Sequence, residues 1–296
     1  MSLVATLISH PDRPALDAAT LSHAAQSLAS PGAPVVLAPG VAVDITCTAD
    51  APIVEIEDRL REALAGSAVD LVVQEAEGRR KHLFLADMDS TMIGQECIDE
   101  LADFVGAKAV VAEITERAMR GEIAFEPALR ERVALLKGLP ESIADEVIRE
   151  RLTLTSGGPE LVRTMRANGA YTALVSGGFT LFTAKIGAMV GFDEHQSNLL
   201  VVRDGRLTGE VAEPILGKEA KRANLDRLRQ ARGLAASDTM AVGDGANDLA
   251  MLGEAGLGVA YRAKPAVAAA ARMRVEHGDL TALLYAQGYR NQDFVR

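Results

Sequence analysis

Apolar residues along the first eighty positions follow two alternating patterns. Short apolar runs at residues 3–8, 35–37, 41–47 and 69–73 have the length of strands, and a Pro39-Gly40 turn separates the second from the third. Between them, residues 16–28 and 53–64 carry apolar side chains at helical spacing. From His82 the character changes. Apolar runs at 83–86, 172–175, 240–242 and 257–260 read as strands buried on both faces, with helical stretches between them. The interval 93–155 has almost no strand signal and holds helical candidates at 96–105, 108–120, 125–136 and 141–151. Residues 199–202 and 207–211 read as a hairpin joined by Arg203-Asp204-Gly205-Arg206.

Strand, helix, strand, strand, helix, strand over residues 1–78 is the order of a ferredoxin-like fold, a small α+β domain. That unit resembles a divergent ACT-type regulatory module. The charged stretch 77–81 (EGRRK) is expected to be a linker. Residues 79–296 are expected to form an α/β domain with a doubly wound, mostly parallel sheet. An all-helical insertion at about 93–155, directly after its first strand, would cap the sheet's edge.

Composition narrows the function classes. The chain has 296 residues, 48 % of them apolar and 24 % charged, as expected of a folded domain pair and not of a disordered chain. Its 31 basic and 41 acidic residues leave a net charge of −10, which disfavours nucleic acid and anionic lipid as partners. An anionic substrate would need local positive charge. Cys47 and Cys97 are far apart and read as reduced, buried small residues, and the five histidines form no cluster that suggests zinc. No basic segment followed by an apolar run opens the chain, and no apolar stretch approaches the ~20 residues that span a bilayer. A cytoplasmic enzyme is the expectation.

Three of the apolar strands run into residues that carry chemistry: Asp87-Met88-Asp89-Ser90-Thr91, Ser176-Gly177-Gly178, and Gly243-Asp244-Gly245-Ala246-Asn247-Asp248. Ligands of an open parallel sheet bind beyond the carboxyl ends of its strands, so these segments would converge on one crevice. An aspartate after a strand is commonly a turn residue or a helix cap. Gly243-x-Gly245 also imitates a dinucleotide fingerprint, but Asp248 stands where its third glycine belongs. Co-occurrence favours chemistry: capping does not call for a spaced acid pair at one strand end and another pair at a second. Asp87 could attack phosphorus while Asp89 protonates the departing oxygen. Asp244 and Asp87 could hold a hard divalent cation such as Mg²⁺, and Ser176 with the following amides could bind phosphoryl oxygens. A lysine should complete the site, and Lys218 and Lys221 are the candidates.

These residues resemble the haloacid dehalogenase-like superfamily and, within it, the phosphoserine phosphatases. Asp87, Asp89 and Thr91 match its Asp-x-Asp-x-Thr motif, Ser176 its second motif, and Asp244 with Asp248 its acidic loop. The resemblance favours Lys221 over Lys218 as the motif lysine. It covers about residues 82–288 and implies further roles. Asp87, Asp89 and Asp244 would be the Mg²⁺ ligands. Glu96 would receive the amino group of phosphoserine, and Arg132 its carboxylate. Met119 and Phe125 would form the apolar wall of the cap, while Ser176, Gly177, Lys221 and Asn247 would bind the phosphate. Taken alone, Glu96 and Arg132 read as solvated helix charges. The implied reaction is Mg²⁺-dependent hydrolysis of O-phospho-L-serine through an aspartyl-phosphate, the last step of serine biosynthesis. Two rivals share the residues: transfer of the phosphoryl group to another small alcohol such as homoserine, and a serine-sensing protein with a vestigial phosphatase fold. The N-terminal unit is expected to regulate the enzyme or to make it a homodimer.

Overall fold

The computed structural model describes residues 2–119 and 122–296, without the side chains of Met119 and Lys218. The N-terminal unit runs β1 (Ser2–Ile8), α1 (Ala18–Gln26), β2 (Val35–Ala38), β3 (Ala42–Thr48), α2 (Ile53–Ala63) and β4 (Asp70–Glu75). Its sheet has the order β2-β3-β1-β4, with every neighbour antiparallel, which is the ferredoxin-like arrangement. Asp17 caps α1 by accepting from the Thr20 N–H at 2.8 Å. Leu3, Ala5 and Leu7 of β1 pack with Val43, Ile45, Val73, Ile56 and Leu60 under the two helices.

The alternate residues of β1 should then face water, but Val4, Thr6 and Ile8 are buried as well. The second face of the sheet is seated on the rest of the molecule. Ile8, Leu37, Val41 and Val72 join the same apolar cluster as Tyr285 and Tyr289. Polar contacts close this seam. Asp70 accepts from the N–H groups of Glu276 and Gly278 at 2.8 and 2.7 Å, and from His277 at 3.2 Å. Arg272 bonds Glu57 at 2.7 Å, and Gln74 donates to the Ala286 carbonyl at 2.6 Å. The stretch expected to be a free linker is stitched down. Arg79 pairs with Asp44 at 2.6 Å, Arg80 stacks on Tyr289, and buried Lys81 donates to the Ser237 carbonyl at 2.7 Å.

After β5 (Leu83–Ala86) come the cap helices α3 (Cys97–Phe104), α4 (Lys108–Met119), α5 (Phe125–Ala134) and α6 (Ile143–Glu150). The chain returns through α7 (Gly158–Ala167), β6 (Tyr171–Phe179), α8 (Thr180–Val190) and β7 (Glu194–Asn198). It continues with the hairpin β8 (Leu200–Arg203) and β9 (Arg206–Val211), then α9 (Lys218–Ala231), β10 (Thr239–Gly243) and α10 (Leu249–Glu254). Last come β11 (Leu257–Tyr261), α11 (Pro265–Ala270), β12 (Met273–Val275) and α12 (Ala282–Ala286). Six strands form a parallel sheet in the order β12-β11-β10-β5-β6-β7. Its central strands are buried on both faces, as continuous apolar runs require. Both edge strands escaped the sequence reading. β7 is polar (Glu-His-Gln-Ser-Asn) and β12 has three residues, so neither carries a core signature. Among the described residues no helix is long and apolar enough to cross a membrane.

Asp70 concentrates the polar part of the seam on one carboxylate. Asp70→Ala should lower unfolding free energy by roughly 2–3 kcal/mol, because its backbone donors lose their acceptor inside the interface. Urea unfolding checks this, and a loss below ~0.5 kcal/mol would mean that water replaces the carboxylate at little cost.

Candidate active site

The carboxyl ends of β5, β6 and β10 meet in the middle of the parallel sheet, where the strand order folds their chemical residues together. Asp87 leaves β5 with its N–H bonded to the Val242 carbonyl of β10 at 3.0 Å, which locks the two loops in register. Its Oδ1 accepts from its neighbour Met88 N–H at 2.8 Å, and Oδ2 lies 2.7 Å from Lys221 Nζ. Lys221 Nζ also lies 2.6 Å from Asp248 Oδ1, and both side chains are almost wholly buried. Burial works against the lysine's charge, but Asp87 and Asp248 outweigh it and hold the ammonium protonated above its usual range. Burial and then the charge of Asp248 raise the proton affinity of Asp87, opposed by Lys221.

Asp248 completes this arrangement through Oδ2, which accepts from Gly245 N–H at 3.0 Å. A β-carbon at Gly243 would lie 2.3 Å from Asp248 Cγ, so only glycine lets that side chain fold back beneath the loop. Asp244 accepts from Thr91 Oγ1 at 3.1 Å, and burial followed by the nearby Asp248 charge raises its proton affinity. Asp87, Asp244 and Asp248 each offer a carboxylate oxygen within 4.8 Å of the others. An all-oxygen set of acids this close suits a hard divalent cation. The third member differs from the expectation. Asp248 joins the cluster, whereas the Asp89 carboxylate is turned away, accepting from Cys97 N–H at 3.0 Å and from Ser176 Oγ at 3.4 Å. Burial raises the proton affinity of Asp89, opposed chiefly by the Cys97 amide.

Ser176, Gly177 and Gly178 lie within β6, not beyond its end. The register passes from Val175↔Gln196 to Phe179↔Asn198, so these three residues stand opposite Ser197 alone and bulge out of the sheet. Ser176 Oγ accepts from Gly178 N–H at 2.9 Å. A β-carbon on Gly178 would lie 2.8 Å from Asp89 Oδ2, so the bulge must be bare to let the acid approach.

The cap closes over this floor. A cavity of about 290 Å³ is lined by Asp87, Asp89 and Ser176 from below and by Glu96, Phe125 and Arg132 from above. Glu96 accepts from Ser90 Oγ at 2.6 Å, and Ser90 is held at positive φ. Burial, and then the charge of Asp89, pushes Glu96 up to about 7. Arg132 is tethered by Nε to the Ala128 carbonyl at 3.2 Å and by Nη1 to Thr115 Oγ1 at 3.3 Å. Phe125, 40 % exposed, reaches across to both Gly177 and Gly217. Gly177 and Asn247 line the same cavity, but Lys221 stands behind Asp87, outside the lining. The side chains of Met119 and Lys218 lie outside the described residues. Asp248, Thr91, Thr115 and the cavity-lining Lys264 had no assigned role in the sequence reading. Asp248 was visible as the last residue of the acidic loop, while Thr115 and Lys264 carry no local signal.

The fold, the strand-end acids and the helical cap together define a class: the chain belongs to the haloacid dehalogenase-like hydrolase family, whose sequence profile matches residues 84–253. Within that class it is similar to the phosphoserine phosphatase of Haemophilus influenzae, at 48 % identity over 202 residues. The match covers 68 % of this chain and 64 % of that protein, less than two thirds of the relative's length. A probable phosphoserine phosphatase from Vibrio cholerae is 34 % identical with a TM-score of 0.76, over 97 % of this chain and 86 % of that one. A HAD family hydrolase from Salmonella enterica serovar Typhi is 28 % identical with a TM-score of 0.86, over 96 % and 98 % of the two chains. Both structural matches include the N-terminal unit.

The acid cluster makes a direct prediction about cations. Mg²⁺ bound there at about a hundred times its Kd would add ~2.7 kcal/mol to stability, or roughly 4–5 °C for a chain of this size. Thermal unfolding with Mg²⁺ and with chelator should show that difference, and Asp244→Asn should remove most of it. An undiminished shift in the variant would move the cation elsewhere.

Proposed function

We propose that the chain hydrolyses O-phospho-L-serine to L-serine and phosphate, the reaction that completes serine biosynthesis, with Asp87 as the transient phosphoryl carrier and Mg²⁺ as cofactor. The observation that carries this reading is one cavity in which a carboxylate pair, Asp87 and Asp89, faces a cap bearing an acid and a base, Glu96 and Arg132. Phosphoserine has three charged groups, and the cavity provides a partner for each. Its volume of about 290 Å³ suits a small metabolite.

Asp87, Asp244 and Asp248 would hold the cation, which when bound neutralises acid repulsion and polarises phosphoryl oxygens. Ser176 Oγ, itself held by the Gly178 N–H, and the backbone of Gly177 orient the phosphate for in-line attack by Asp87. Lys221 acts from behind. Its charge opposes the burial that raises the proton affinity of the Asp87 carboxylate. Asp89, whose proton affinity is raised by burial, gives its proton to the serine oxygen as the phosphorus–oxygen bond breaks. It then takes a proton from the water that hydrolyses the aspartyl-phosphate, which restores both acids. Glu96 pairs with the substrate ammonium once ionised, and Arg132 pairs with the carboxylate through guanidinium hydrogens left after its two tethers. Phe125 covers the mouth and keeps bulk water from the phospho-enzyme.

Two predictions separate the chemistry from the selectivity. Uncatalysed phosphate-monoester hydrolysis is so slow that Asp87→Asn should lose at least ~10³-fold in kcat, measured as phosphate release. Retention of more than a few per cent of turnover would remove Asp87 from the role of nucleophile. Arg132→Ala should weaken kcat/KM for phosphoserine by roughly 10²-fold, the scale of a lost charged contact, and change hydrolysis of p-nitrophenyl phosphate far less. Equal losses on the two substrates would deny Arg132 a carboxylate partner.

A further inference from the structure

Asn198 is the last residue of β7, is 1 % exposed, and lines no part of the cavity. Its carboxamide nevertheless touches both the β6 bulge that lines the cavity and the segment leading into α9. Nδ2 donates to the Gly177 carbonyl at 2.8 Å, and to the Leu216 carbonyl at 3.4 Å, while Oδ1 accepts from Leu216 N–H at 2.7 Å. The Gly177 carbonyl lies in the stretch of β6 that bulges away from β7, where the ladder supplies no donor. Leu216 leads directly into α9, whose first turn carries Lys221. A buried amide that satisfies both segments at once fixes their separation.

We propose that Asn198 is a positioning residue that sets the distance between the anion cradle of Ser176-Gly177 and the Asp87–Lys221–Asp248 charge group. This rests on the phosphoryl-transfer reading of the site, but not on phosphoserine as the substrate. The carboxamide is chemically suited to the task. Two of its contacts are carbonyls that need a donor and one is an N–H that needs an acceptor, and only an amide of this length presents both from one terminus. An aspartate of the same shape keeps the Leu216 N–H acceptor but sets a carboxylate against two carbonyl oxygens. An alanine leaves all three backbone groups without their partner.

Binding of inorganic phosphate, measured by calorimetry on the full chain with Mg²⁺ present, reads the cradle without turnover. Asn198→Asp and Asn198→Ala should each weaken phosphate binding by roughly tenfold or more while KM for phosphoserine and its kcat both worsen. L-Serine, which the cap would hold, should bind within about twofold of wild type. A folded variant that binds phosphate as wild type does, with only a lower Tm, would reduce Asn198 to a structural residue and overturn the proposal. If neither variant folds, amide hydrogen exchange on the wild-type chain decides. Phosphate should slow exchange in the segment holding Leu216 together with the segment holding Gly177 and Gly178, and protection confined to the second would overturn the proposal. Failure of the wild-type chain to hydrolyse phosphoserine while still binding phosphate would count against the substrate assignment and leave this test standing.

Discussion

One buried ammonium makes the rest of the site possible. Lys221 lies between Asp87 and Asp248, at 2.7 and 2.6 Å, in a place with almost no access to water. Three carboxylates with oxygens within 4.8 Å of each other would otherwise protonate or push the strand ends apart. Removing one partner of a buried ion group costs about 3–5 kcal/mol, because the remaining charges are left without water or counter-ion. The lysine therefore ties the ends of the adjacent parallel strands β5 and β10 together and opposes the burial that raises the proton affinity of Asp87.

Everything above that charge group is arranged by backbone that approaches unusually closely. Gly243 lets Asp248 fold under its own loop, and the bare bulge at Gly178 lets Asp89 reach Ser176. The Val242 carbonyl binds Asp87 N–H, and Asn198 links the bulge to the start of α9. The cap residues are held by a different means. Arg132 is restrained by two tethers and Glu96 by the Ser90 hydroxyl, so both enter the cavity from restrained positions. The N-terminal unit is packed by one face of its sheet onto the α/β domain, and Asp70 ties it to the loop after β12.

Much of this was legible in the chain because the decisive signals are local. A run such as Leu83-Phe84-Leu85-Ala86 announces a buried strand, and an acid placed directly after it must lie at the strand's end. The ferredoxin-like order, the parallel sheet, the helical cap and the strand-end acids Asp87, Asp89 and Asp244 all follow from patterns a few residues long, whereas Ser176 lies inside β6, in its bulge. Tertiary structure decided what those patterns do not contain. Strand order brings Asp248 to Lys221 and into the acid cluster, and turns Asp89 toward Ser176 instead. Polar β7 and three-residue β12 exist because neighbouring strands recruit them, the linker residues are pinned by partners far along the chain, and Asn198 matters only where β6 bulges. Apolar periodicity encodes which face of an element is buried. The distances between elements depend on how all those faces pack at once, and only the folded chain specifies them.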